Sequence, residues 1–149
     1  MLFNGQAIGG FSLQVPGHHN ALNALAAAIA CQLSGLSWSD VFKGLETYQG
    51  VDRRQQKIGK AKGVLVYDDY AHHPTEIRAT IQAMGELAPQ GQLHLIYQPH
   101  RYSRTRDCWE DYKEAFHGVD QLYLMDIYPA GEEPLSGVSS PHLSQVIHS

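Results

Sequence analysis

The sequence predicts an α/β fold built on a parallel sheet, preceded by a strand and two helices. Three observations predict it. From Val64 onward, short apolar runs of strand length alternate with amphipathic stretches of helix length. Strands that alternate with helices of about 10–15 residues imply parallel pairing through right-handed crossovers. Chemistry-bearing side chains also gather after the apolar runs, where an open α/β sheet keeps its ligand site.

Taken in order, residues 1–15 are turn-rich and end in Phe11-Ser12-Leu13-Gln14-Val15, whose alternation suits a half-buried strand. Pro16-Gly17 breaks the chain. Ala21 to Leu33 is nearly all apolar and rich in Ala and Leu, which predicts a helix buried on every side. Asn20 stands at its cap. Asn23 lies inside it, where an amide needs partners that a core residue or a ligand could supply. Gly35 ends the helix. Ser37 with Asp40 resembles a capping box, and Val41, Phe42, Leu45 and Tyr48 mark one face of a second helix. A polar, basic stretch, residues 50–57, reads as a domain boundary, and its pair Arg53-Arg54 could hold phosphate oxygens.

The expected parallel strands are Val64–Tyr67, Gln92–Tyr97 and Gln121–Met125. The helix Thr75–Ala88 carries Ile77, Ile81, Met84 and Ala88 on one face, and Pro89 stops it. A helix near Thr105–Phe116 presents Trp109, Tyr112 and Phe116 together, and a last helix starts near Pro141.

Composition narrows the function classes. The chain has 149 residues, 43% of them apolar and 17% charged, which permits a sizeable core. A formal net charge of -4 without a basic stripe argues against a nucleic-acid binder. No 18-residue apolar run occurs, so no membrane span is expected. The first residues lack a basic region followed by an apolar one, so no signal peptide is expected. Cys31 and Cys108 have no CxxC spacing and read as buried thiols of a reducing, cytoplasmic compartment.

Three loops carry the chemistry. After the first parallel strand comes Asp68-Asp69-Tyr70-Ala71-His72-His73, after the second Gln98-Pro99-His100-Arg101-Tyr102-Ser103-Arg104, and after the third Asp126-Ile127-Tyr128-Pro129-Ala130-Gly131-Glu132-Glu133. In a parallel sheet all three share one edge, whereas the opposite loops are short and bland. Arg101 and Arg104 can grip a carboxylate or phosphate through two parallel bonds. His72 and His100 can orient an amine or take a proton. Asp68 or Asp69 suits a magnesium ion, a ribose hydroxyl, or a metal held with the histidines. A zinc hydrolase using Asp69, His72, His73 and His100 is the natural rival, although no helix-borne HExxH is present. A non-catalytic nucleotide or amino-acid binding module is the third possibility. The sequence holds no GxxxxGK[ST] phosphate loop.

Five ordered stretches carry a family resemblance. Gly17-His18-His19-Asn20-Ala21-Leu22-Asn23-Ala24 resembles the adenine-side HNxxN motif of the Mur ligases. Gly50-Val51-Asp52-Arg53-Arg54, Asp68 to Glu76, Gln98 to Thr105 and Asp126 to Glu132 follow in the family's order. The set is most similar to the members that join L-alanine to UDP-N-acetylmuramate. The resemblance implies that residues 1–50 are the tail of the central ATP-binding domain. It implies that residues 51–149 are a truncated C-terminal Rossmann-like domain.

The implied activity is peptidoglycan precursor synthesis: ATP activates the muramyl carboxylate as an acyl phosphate, and alanine's amine attacks it. Implied cofactors are ATP and Mg2+, with the magnesium held mainly by central-domain residues outside this segment. The implied ATP-side residues are Asn20, Asn23, Arg54 and Asp69. Around alanine stand Tyr70, His72, His100, Arg101 and Arg104. His72 and Arg54 are the catalytic candidates, and no residue is assigned to a metal. The isolated segment is expected to be inactive, and to self-associate through an unpaired strand edge. The family usually has an aromatic residue after the arginine pair; here Gln55 stands there.

Overall fold

The computed structural model describes residues 1–147. The chain forms two compact units, one spanning Met1–Asp69 and the other beginning at Tyr70.

The first unit opens with a small antiparallel hairpin, β1 (Leu2–Phe3) and β2 (Gln6–Ala7). The expected strand at Phe11–Val15 is absent. Phe11 instead lays its ring against Phe42, 5.4 Å between centroids, in a cluster with Trp38 and Phe3. Ring packing satisfies this segment without a strand partner. Helix α1 (His18–Leu33) starts earlier than expected, with Gly17 at φ 96° as its cap, so Asn20 lies in the first turn and is not the cap residue. Ser34 closes the helix, and Gly35 follows it at φ 92° in the left-handed conformation. Ala24 and Ala28 are buried, while Leu22, Leu25 and Leu33 are exposed. The expectation of burial on every side is therefore not met among the described residues. An apolar composition permits burial but does not choose the surface that provides it. Helix α2 (Trp38–Glu46) has the expected cap: the Ser37 hydroxyl accepts the Asp40 N–H at 3.2 Å and donates to its carboxylate at 2.6 Å.

β3 (Gln56–Ala61) has no counterpart in the sequence reading. It pairs antiparallel with β4 (Val64–Asp68). Lys62 and Gly63 join them at φ 49° and 86°, the paired positive values of a two-residue hairpin turn. The first expected parallel strand is thus the return strand of a hairpin, because a two-residue link can only join antiparallel neighbours.

In the second unit, helix α3 (Pro74–Leu87) buries Ile77 and Ile81. β5 (His94–Tyr97) and β6 (Gln121–Leu124) pair in parallel, His94 against Gln121 through Tyr97 against Leu124. Between them the expected helix near Thr105–Phe116 is displaced and divided. α4 (Tyr102–Asp107) begins three residues sooner, and a 3-10 turn follows at Glu110–Lys113. The break leaves the apolar side intact, with Tyr112 and Phe116 buried. Helix α5 (Ser140–Ile147) buries Leu143 against the same core of Ile77, Ile81, Tyr97, Cys108, Tyr112, Ala115 and Phe116. Fold class is as expected: α/β with a parallel pair. Among the described residues its parallel ladder joins two strands and not three.

Candidate functional site

The second unit assembles its loops just beyond the ends of β5 and β6. The ladder continues past the named strands as an isolated parallel bridge between His100 and Tyr128. Arg101 N–H donates to the Tyr128 carbonyl and Tyr128 N–H to the Pro99 carbonyl, each at 2.8 Å. These bonds hold Arg101 at φ 74°, a conformation that disfavours a side chain. Ala130 in the companion loop is held at φ 50°. Non-glycine residues kept in this region belong to loops that the surrounding structure over-determines, which are often functional ones.

His72 and His100 meet here, 6.2 Å between ring centroids, and Tyr70 and Tyr128 flank them at 5.5 and 5.4 Å. His72 Nδ1 lies 2.9 Å from the Tyr70 carbonyl and so donates to it. The same nitrogen lies 3.6 Å from the Glu76 carboxylate, so both neighbours favour a proton at Nδ1. The backbone of His72 is held as well: its N–H donates to the Glu76 carboxylate at 3.0 Å. Arg104 Nη1 donates to His100 Nδ1 at 3.3 Å. A guanidinium has only donors, so His100 must accept at that nitrogen. Burial, then the charges of Arg104, Arg101 and His72, hold the His100 ring below its ordinary pKa, in keeping with a neutral acceptor.

His73 has a different task. Its Nδ1 accepts the Thr75 N–H at 3.3 Å, and Glu76 returns a bond to the His73 N–H, which forms a capping box at the start of α3. The zinc set of the sequence reading therefore does not assemble. Among the described residues no three His, Cys, Asp or Glu side chains are placed to share a metal ion.

Sequence reasoning gave no role to Glu132. Its carboxylate takes the Ser103 N–H at 2.9 Å and the Ser103 hydroxyl at 2.5 Å, tying the loop after β6 to the start of α4. The only sequence signal was its membership of the third loop. Those two bonds, hydroxyl first, and then the Arg101 charge lower the Glu132 pKa. A carboxyl lowered in the folded state stabilises fully above its unfolded value, near 4.3, and loses that contribution as pH falls through the folded value. Glu132→Gln should therefore lower the urea midpoint near neutral pH, and the difference from wild type should vanish in acid. A difference that persists below both values would exclude a charge-dependent tie.

Tyr97 was equally unforeseen. Buried at the end of β5, its hydroxyl lies 3.0 Å from that of Tyr112 and donates, at a long 3.5 Å, to the His72 carbonyl. Burial, and then the Tyr112 hydroxyl, push the Tyr97 hydroxyl far above the usual tyrosine range, so it remains a donor.

The first unit holds the remaining candidates. Asn20 and Asn23 stand one turn apart on α1, Asn20 half-buried and Asn23 exposed. Asn23 is thus not the buried amide that the sequence reading expects. Arg53 Nε lies 3.6 Å from the Asp68 carboxylate, and Arg54 is exposed beside it. Asp69 accepts the Gln55 N–H at 2.8 Å. Gln55 itself is buried, at 6% exposure, with φ 48°.

Residues 53–148 match the family described as Mur ligase, glutamate ligase domain. The UDP-N-acetylmuramate–L-alanine ligase of Bdellovibrio bacteriovorus is 53% identical over 137 residues, which is 92% of this chain and 30% of that protein. The ligase of the same name from Geotalea daltonii is 45% identical over 143 residues, 95% of this chain and 31% of that protein. Among solved structures, the UDP-N-acetylmuramate-alanine ligase of Thermotoga maritima superposes with a TM-score of 0.79 at 28% identity, covering 97% of this chain and 30% of that one. The chain thus spans about a third of the length of these relatives. With the matched stretch covering well over half of its residues and the His72–His100–Arg104 cluster built on the strand ends, this chain belongs to the Mur ligase family.

Proposed function

We propose that this segment supplies the amino-acid side and the adenine side of an ATP-dependent ligase that joins L-alanine to UDP-N-acetylmuramate in the cytoplasm. The observation that carries the reading is the meeting of His72, His100, Arg104 and Tyr70 beyond the ends of two parallel strands. An amino acid needs an anion site and an acceptor for its amine. Arg104 and Arg101 suit the carboxylate. With a proton at Nδ1, a neutral His72 has Nε2 as its acceptor, which suits an amine and can take the proton that the amine sheds as it attacks the acyl phosphate. Such a site works by positioning and by stabilising charge.

On the nucleotide side, Asn20 and Asn23 are assigned to adenine, Asp69 to the ribose and Arg54 to the phosphates. Arg54 and His72 are the catalytic candidates. Residues 1–50 are assigned to the central ATP-binding domain and 51–149 to the C-terminal one. Magnesium offsets phosphate charge in such reactions. Among the described residues no three His, Cys, Asp or Glu side chains converge to hold it.

The test is a titration of the 15N-labelled chain with L-alanine, D-alanine and ATP, alongside an assay for amide formation. Shifts at His72, His100 and Arg104 with L-alanine, weaker ones with D-alanine and no turnover are expected. Turnover that Arg54→Ala abolishes would overturn the partial-site reading. An L-alanine response confined to other residues would overturn the site.

Self-association is part of the proposal. Ile96, Tyr123 and Met125 lie exposed on or beside the two-stranded parallel ladder, whose outer edges are unpaired among the described residues. Light scattering across a concentration series should show mass rising with concentration. A constant monomer mass would remove this part.

A further inference from the structure

We propose that Glu132 is a positioning residue of the amino-acid site: from the loop after β6 it caps helix α4 and so holds Arg104 against His100. The inference rests on the reading that the cluster of His72, His100 and Arg104 receives L-alanine. A helix leaves its first N–H groups without partners of its own, and a side-chain oxygen at the cap position ordinarily takes one of them. Helix α4 has no such cap. Arg101 stands at that position, makes no capping bond with its side chain, and carries donors only. Glu132 supplies the acceptor from outside the helix. Its carboxylate takes the Ser103 N–H at 2.9 Å and the Ser103 hydroxyl at 2.5 Å, and the Tyr102 N–H faces the same group. A negative charge at a helix start also complements the helix dipole.

The loop is built to deliver this carboxylate. Glu132 N–H donates to the Pro129 carbonyl at 3.0 Å, closing a four-residue turn. Its central residues, Ala130 and Gly131, have φ 50° and 85°, the signs of a type I′ turn. Alanine is a costly residue there, so its surroundings hold the backbone in this conformation. Just before the turn, the Tyr128 backbone bonds those of Pro99 and Arg101. The turn and the start of α4 therefore share one backbone anchor, and Glu132 adds a second tie across 29 residues of chain.

What the tie controls is Arg104. This residue follows Ser103 in a helix of only six residues, too short to persist without outside contacts. Its Nη1 donates to His100 Nδ1 at 3.3 Å. Burial lowers the His100 pKa, as do Arg104, Arg101 and His72 in that order, while Glu132 raises it and acts least of these. The charge of Glu132 and its hold on Arg104 thus predict opposite movements of one ring. Losing the charge with the structure intact lowers the His100 pKa further. Releasing Arg104 raises it towards the ordinary value, because the guanidinium acts on the ring more strongly than the carboxylate does.

The experiment follows the His100 ring nitrogens by NMR across pH, and titrates L-alanine, in the 149-residue chain as wild type, Glu132→Ala, Glu132→Gln and Ser103→Ala. Glu132→Ala should raise the His100 midpoint and weaken L-alanine binding about tenfold, the equivalent of one charge-assisted bond. Glu132→Gln keeps an oxygen for the Ser103 N–H and should lie between Glu132→Ala and wild type in alanine affinity. Ser103→Ala removes one of the two bonds and no charge, so both readouts should move as in Glu132→Ala but less far. Should Glu132→Ala fail to fold, Ser103→Ala decides alone. A general loss of stability leaves the midpoint of the folded molecules where it is. A midpoint that falls or stays in place, beside a wild type that binds L-alanine, overturns the inference and leaves the amino-acid reading standing. A midpoint that rises with alanine affinity unchanged overturns it too. Failure of wild type to bind L-alanine overturns that reading and the inference with it.

Discussion

Replacing Arg104 by alanine is expected to weaken the use of L-alanine roughly 10- to 150-fold while leaving the Michaelis constant for ATP nearly unchanged. The expectation follows from where the guanidinium lies. Arg104 sits in the short helix that follows β5, is half-buried, and bonds His100, whose ring meets that of His72. A charge-assisted bond to a carboxylate contributes on the order of 1.5–3 kcal/mol, and each 1.4 kcal/mol is about a factor of ten. Removing Arg104 also removes the donor that His100 accepts, so the ring can turn and the loss falls towards the upper end. Arg104→Lys should recover only part of it, because an ammonium does not reproduce the planar fork. Arg101→Ala should cost less: its side chain is exposed, and what the structure holds in place is its backbone. The measurement is steady-state kinetics with alanine and ATP varied separately. The protein is a chimera in which this segment replaces its counterpart in the Bdellovibrio bacteriovorus relative. An ATP constant that rises as far as the alanine constant would move the pair to the phosphates.

Leu143→Ala is expected to destabilise the unit that begins at Tyr70 by about 2–5 kcal/mol. Leu143 is completely buried and is the main apolar anchor of α5, an eight-residue helix. So short a helix is not stable in water by itself and persists because it docks. Truncation removes the transfer energy of the lost methyl groups and leaves a cavity between rigid aromatic neighbours, Tyr97, Tyr112 and Phe116, which cannot collapse into it easily. Since domains are stable by only about 5–15 kcal/mol, the loss is a large share. Urea unfolding followed by Trp109 fluorescence, with Trp38→Phe as background, reads it directly, because Trp109 packs against this core. Leu143→Met should cost less than about 1.5 kcal/mol. Equal, small losses for both variants would mean that α5 is not part of the cooperative core.

Some of the site was legible because it depends on local order alone. Ile77 and Ile81 recur at helical spacing, and both are buried in α3. The loops after Tyr97 and Leu124 follow parallel strands, so His100, Arg101 and Arg104 were bound to stand at the same end as Tyr128. Val64–Tyr67 was misread for an equally physical reason. Its apolar run suits a buried parallel strand and a hairpin strand alike, and only the turn at Lys62-Gly63 separates the two. That pair does not stand out as Asn-Gly would, and Gln56–Ala61 before it is too polar to announce a strand.

By itself the sequence determined the family, the α/β class, the order of the chemistry-bearing loops and the residue types in each, because motif order and periodicity are properties of the chain. Tertiary structure decided which of those residues lie together. It turned His73 into a helix cap and set His72 Nδ1 against the Tyr70 carbonyl, since the role of a ring nitrogen depends on the carbonyl or amide beside it. It also brought in Glu132, Tyr97 and Gln55, whose partners lie 29, 25 and 35 residues away. A hydrogen bond is made by distance and angle in space, and no spacing along the chain encodes it.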